Sequence, residues 1–126
     1  MDKNLTDDIV KALRTYGYDK AECIGDEEIG DFFICIDTGN NHVHIDKSMH
    51  IFMPVVETGY MDHANSFYFD LKMYNPLSQL VEFRDRYRSI RYKFGDNLYD
   101  NYISRIVLIV KILEDAGLVE RIRKFI

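Results

Sequence analysis

His42, His44 and His50 are three of the chain's four histidines, and Asp46 lies among them in the stretch HVHIDKSMH. Two imidazoles at i and i+2 of a strand point to the same face and can share a zinc ion, with a nearby carboxylate as a third ligand. His42, His44 and Asp46 are therefore the metal candidates. On a straight strand, Asp46 lies about 13 Å from His42 at 3.3 Å per residue, so the three converge only if the chain turns directly after Ile45. A second chemistry uses Cys35. If Thr38–Asn41 closes a hairpin loop, Asp37 stands opposite His42, Cys35 opposite His44 and Phe33 opposite Asp46. A thiol beside a cross-strand imidazole can act as a nucleophile. Near this pair the sequence offers no Gly-rich turn leading into a helix to form an oxyanion hole, and no third residue to orient the histidine.

The spacing His42-x-His44-x-Asp46 resembles, over five residues, the start of the metallo-β-lactamase ligand motif. That family's fold implies a longer chain and later histidine ligands, whereas only His50 and His63 follow here. A loop of Lys47-Ser48-Met49 would set Asp46 against His50 and His44 against Phe52, keeping every polar group on one side. A two-residue loop would invert the pattern. The reading adopted is thus a polar, partly solvated face of an antiparallel sheet. The metal site and the thiol site are kept as alternatives.

Two other surfaces have the residue types for binding. EFRDRYRSIRYKF, residues 82–94, sets Arg84, Arg88 and Arg91 along one helical face, flanked by Arg86 and Lys93 and interleaved with Tyr87 and Tyr92. Guanidinium forks match phosphates and aromatic rings stack on bases, so this stripe suits a nucleic acid or an acidic protein. Tyr68, Asp70, Lys72 and Tyr74 form the outward face of a strand. With Phe33, Phe52 and the histidines they make an aromatic, mixed-polarity surface of the kind found at protein interfaces. The partner-binding candidates are Tyr68, Asp70, Tyr74, Phe52, His44, Arg84, Arg88 and Arg91.

Positioning these residues requires particular elements. Thr6-Asp7-Asp8 suits a helix N-terminus, and Leu5, Ile9, Leu13 and Tyr16 recur at helical spacing before Gly17. GDEEIGD, residues 25–31, reads as an acidic loop. From residue 32 the period becomes two: Phe32, Ile34 and Ile36, then Val43 and Ile45, then Met49, Ile51, Met53 and Val55, then Phe67, Phe69, Leu71 and Met73 share a face. TGYMDHAN, residues 58–65, is the one long connection. Asn75-Pro76 opens a helix that ends near Gly95, and Asp96-Asn97 opens another. The latter is apolar nearly all round from Ile103 to Leu113, as a buried helix or an oligomer contact would be. Gly117 breaks it and leaves LVERIRKFI as a short terminal helix. The expected fold is α+β: an N-terminal helix, a three- to four-stranded antiparallel meander, two C-terminal helices and a short terminal one.

The chain has 126 residues, 47% hydrophobic and 29% charged, enough for one domain spanning 1–126 with its own core. Cys23 and Cys35 make no disulfide framework, MDKNLTDDIV lacks a secretory apolar run, and IVLIV is far shorter than the roughly 20 apolar residues of a membrane span. A soluble cytoplasmic protein is expected. The net charge of −5 disfavours nonspecific coating of nucleic acid. It is uneven, with ten acidic and four basic residues from Asp2 to Asp37. No Walker loop, dinucleotide fingerprint or paired-cysteine motif is present, and no cofactor is implied. The expected function is that of a noncatalytic interaction protein of inhibitor, immunity or adaptor type, with a protein partner first. The alternatives are a small metal-dependent or thiol enzyme and a nucleic-acid binder. Self-association would run through the apolar helix or the C-terminal RKFI.

Overall fold

A computed structural model describes residues 2–37, 42–54, 66–73 and 96–125, with side chains described at all of these but 52–54, 66–68 and 96–103. These residues form helix α1 (Leu5–Thr15), strands β1 (Glu22–Asp26), β2 (Asp31–Asp37), β3 (His42–Asp46), β4 (His50–Pro54) and β5 (Ser66–Asp70), then helices α2 (Asp96–Asp115) and α3 (Val119–Arg123). The strands make one antiparallel meander in chain order. The α+β fold matches the sequence expectation, with one strand more at the β1 edge. The anticipated helix from Asn75 to Gly95, the Thr38–Asn41 loop and residues 58–65 lie outside the described residues.

Alternation builds the core. Phe32, Ile34, Ile36, Val43, Ile45, Ile51 and Phe69 occupy one side of the sheet and are buried in a single cluster with Leu5, Ile9 and Leu13 of α1. Ile106, Ile109, Val110, Ile112 and Leu113 of α2 join the same cluster, as do Leu118 and Ile122. Phe125 meets Phe32 edge-on, with ring centroids 6.4 Å apart and planes at 87°. The described helices therefore cover the inner face. Burial of α2 is one-sided, because Val107 and Leu108 remain 43% and 48% exposed.

The turn between β3 and β4 sets the register. Met49 N–H donates to the Asp46 carbonyl at 3.0 Å, and Asp46 Oδ1 accepts the N–H groups of Ser48 and His50, each at 2.9 Å. Met49 takes a left-handed φ of 60°, which costs a non-glycine residue about 1–2 kcal/mol. Complete burial of its side chain offsets this with about 2 kcal/mol. Its carbonyl also accepts the Leu71 N–H at 2.8 Å.

Three local expectations shift. The acidic link is shorter than read, because Glu22–Asp26 pairs with β2 down to Asp26 opposite Asp31, leaving only residues 27–30 as the turn. Asp26 Oδ1 accepts the Glu28 N–H. Gly25 adopts φ 102° within the strand, and a Cβ there would collide with the Asp31 carbonyl oxygen. Thr6 is not the cap of α1: Asn4 precedes the helix, Asp2 Oδ1 accepts the Asn4 N–H, and Thr6 is buried in the first turn. Met73 leaves the inner face, because Asp70 Oδ1 accepts the Lys72 N–H and ends β5, and Met73 is exposed.

Helix ends follow their glycines. Gly17 and Gly117 have φ of 117° and 73°. The Tyr18 and Leu118 N–H groups reach back to the Leu13 and Leu113 carbonyls, the closing bond of a left-handed helix cap. α3 then returns to the N-terminus. Arg121 grips Asp2 through Nε to Oδ2 at 2.6 Å and Nη2 to Oδ1 at 2.9 Å, and it meets Asp8 Oδ2 through Nη1 at 2.6 Å. The Arg121 guanidinium holds the Asp2 carboxyl below its ordinary pKa, chiefly by hydrogen bonding.

Ile45→Ala is expected to lower stability by about 3 kcal/mol, read as the shift in denaturant midpoint. The Asp2–Arg121 contribution is complete above the usual carboxylate range and fades as pH falls below it, since the depressed group is the one that must protonate. Arg121→Gln should therefore melt below the wild type at neutral pH, and the two curves should converge in acid.

Candidate functional site

Strand register assembles the outer face in rows. Glu22 pairs with Cys35, Cys35 with His44, His44 with Phe52 and Phe52 with Tyr68, so one row crosses every described strand. In the adjacent row Ile24 pairs with Phe33, Phe33 with Asp46, and His50 with Asp70. The hairpin pairings read from the sequence, including His44 against Phe52 across the Lys47–Met49 loop, are those observed.

The histidine environments are distinct. His44 lies on the Phe33 ring with centroids 4.6 Å apart and planes tilted 31°. Burial lowers its pKa, with a smaller push from His42, so at neutral pH the ring is uncharged. Cys35 stands opposite His44 in the register, yet its thiol approaches the other imidazole, with Sγ 3.4 Å from His42 Nδ1. The His44 ring lies instead on Phe33. Burial raises the Cys35 pKa, and the carboxylates of Glu22 and Asp37 raise it further. Cys23 is pushed up to about 11 by burial and by Glu27, whose Oε1 lies 3.5 Å from its Sγ. Both thiols are therefore protonated near neutrality, the reverse of what a cysteine nucleophile needs.

His50 is the centre that sequence reading passed over. Its Nδ1 is 3.5 Å from Asp46 Oδ1 and its Nε2 is 3.5 Å from Asp70 Oδ2. The same carboxylates hold backbone N–H groups at the 46–50 turn and at the end of β5. Asp46 and Asp70 thus join two strand ends around one half-buried ring. The available signal was the pairing of Asp46 with His50 across the loop; the contribution of Asp70 depends on β5 lying in register beside β4.

The metal candidates separate. His42 is exposed beside Cys35, His44 is stacked on Phe33 and Asp46 is turned into the loop. Among the described residues no group of three or more His, Cys, Asp or Glu side chains gathers as a cation site. Phe52 and Tyr68 take their expected places in the row by register, and Asp70 stands at the rim. Tyr74, Arg84, Arg88 and Arg91 lie outside the described residues. No described helix is long and apolar enough to cross a membrane. Comparison with protein-family models, with curated proteins and with solved structures finds no match to this chain.

Alkylation by iodoacetamide at pH 8 should be slower at both cysteines than at free cysteine, and His42→Ala should not slow Cys35 further. A Cys35 rate above that of free cysteine and lost in His42→Ala would instead mark an activated thiol.

Proposed function

We propose that this chain is a noncatalytic cytoplasmic protein of the inhibitor, immunity or adaptor kind that binds a protein partner through the outer face of its sheet. The observation that carries this reading is the asymmetry of the sheet. The described helices pack on the inner face, while the outer face holds the half-buried Phe33, Cys35 and His44 together with an Ile24 that is 39% exposed. Aromatic and aliphatic groups at the centre of a surface, with charge at its margin, make up a protein interface. Here the margin consists of Glu22, Asp26, Asp31, Asp37 and Asp70. The raised pKa of both thiols weighs against the thiol-nucleophile alternative.

The test is affinity capture from a lysate of the producing cell, comparing wild type with His44→Ala and Phe52→Ala. A partner held by the wild type and lost by at least tenfold in these variants, at unchanged melting temperature, is the expected result. Loss only on Arg84→Ala with Arg88→Ala would move the interface to the basic segment. Stoichiometric zinc removed by His44→Ala would replace the reading with an enzyme.

A further inference from the structure

β1 is the terminal strand of the described sheet. Glu22, Ile24, Gly25 and Asp26 are exposed and Cys23 is half-buried. An edge strand carries unpaired N–H and C=O groups along its open side. Beside β1 runs a groove of about 470 Å³, floored by Val10 and Cys23 and rimmed by Asp7, Lys11, Arg14 and Glu22. Its helical wall repeats at the three- and four-residue spacing of one face of α1. The strand has a stop at each end: Arg14 Nε donates to the Ala21 carbonyl at 2.7 Å, and Gly25 turns the backbone to φ 102°. The length of Glu22–Ile24 lies between them, alongside the groove.

Charge selects what this edge accepts. The hairpin from Glu22 to Asp31 holds five carboxylates, Glu22, Asp26, Glu27, Glu28 and Asp31, and no Lys or Arg. Five is also the size of the whole net charge, so the rest of the chain is formally neutral. A second copy of β1 laid along the edge would bring carboxylates against carboxylates, which is destabilising across strands. An extended segment bearing lysine or arginine meets Glu22 and Asp26 along the strand and Glu27 and Glu28 in its turn, with Lys11 and Arg14 confined to the helical rim of the groove, whereas nucleic acid meets carboxylates along the hairpin and is repelled there.

We propose that the β1 edge and its groove bind an extended, lysine- or arginine-bearing segment of a protein partner. The segment adds as a further strand through backbone hydrogen bonds and seats an apolar side chain on Val10 and Cys23. It engages the rim of the sheet and so goes beyond the outer-face reading, with which it can coexist.

The probes are a short synthetic peptide of alternating Lys and Val, the same peptide with Glu for Lys, and the Lys–Val peptide N-methylated at every second amide. Binding to the full chain is read by fluorescence anisotropy and mapped by amide hydrogen exchange. The Lys–Val peptide should bind, with affinity falling roughly tenfold as salt rises from about 0.02 to 0.2 M. It should slow exchange at alternate amides of β1. Glu22→Gln combined with Glu28→Gln, both exposed, should weaken it about tenfold without moving the melting temperature. Four results overturn the proposal: no binding of the Lys–Val peptide, equal binding of the N-methylated peptide, equal binding of the Glu peptide, or protection mapped away from β1. The outer-face reading is judged separately, since its His44→Ala and Phe52→Ala capture result does not depend on the edge.

Discussion

Side-chain parity across β2, β3 and β4 is the constraint from which the rest follows, and the Asp46 carboxylate holds it in place. By accepting the N–H groups of both Ser48 and His50, Asp46 fixes the number of residues in the loop. The loop in turn fixes which residue of β4 faces which residue of β3. A slip of one residue would turn Ile51 outward and His50 inward. Met49, buried at a left-handed φ, anchors the same turn from below.

This constraint also sets how the side chains of the outer face, the surface proposed for recognition, are arranged. Several of its described groups already have neighbours: the Cys35 thiol has His42, His44 has the Phe33 ring, and His50 has two carboxylates that also hold backbone. Groups restrained in this way lose little conformational freedom when a partner arrives. The Cys35 thiol, raised in pKa by burial and by Glu22 and Asp37, lacks the thiolate character of a cysteine nucleophile.

The period-two pattern made β2, β3, β4 and β5 legible, because burial of one face leaves a strict record in the sequence. β1 left no such record. Its ECIGD is mostly exposed and pairs with a strand, β2, on one side only, so the hydrophobic alternation that marks a buried strand is missing, and Gly25 imitates a loop signal. Helix ends at Gly17 and Gly117 were legible from the need for positive φ. Thr6 misled because a hydroxyl before two carboxylates is a good cap in isolation, whereas here the helix starts two residues earlier, after Asn4, and draws Thr6 into the core. In the site, the cross-strand pairs could be read. The choice of His42 over His44 by the Cys35 thiol could not, since register alone does not set it.

The Arg121 clamp joins groups 119 and 113 residues apart in the chain. The meander joins strands that are neighbours in the chain, so its closures are local and entropically small beside that of the clamp, which spans nearly the full chain length. A contact of that span is expected to close late in assembly. Interactions made after the rate-limiting barrier leave the speed of folding almost unchanged and slow escape from the native state, so the clamp is expected to act on the lifetime of the fold more than on its formation.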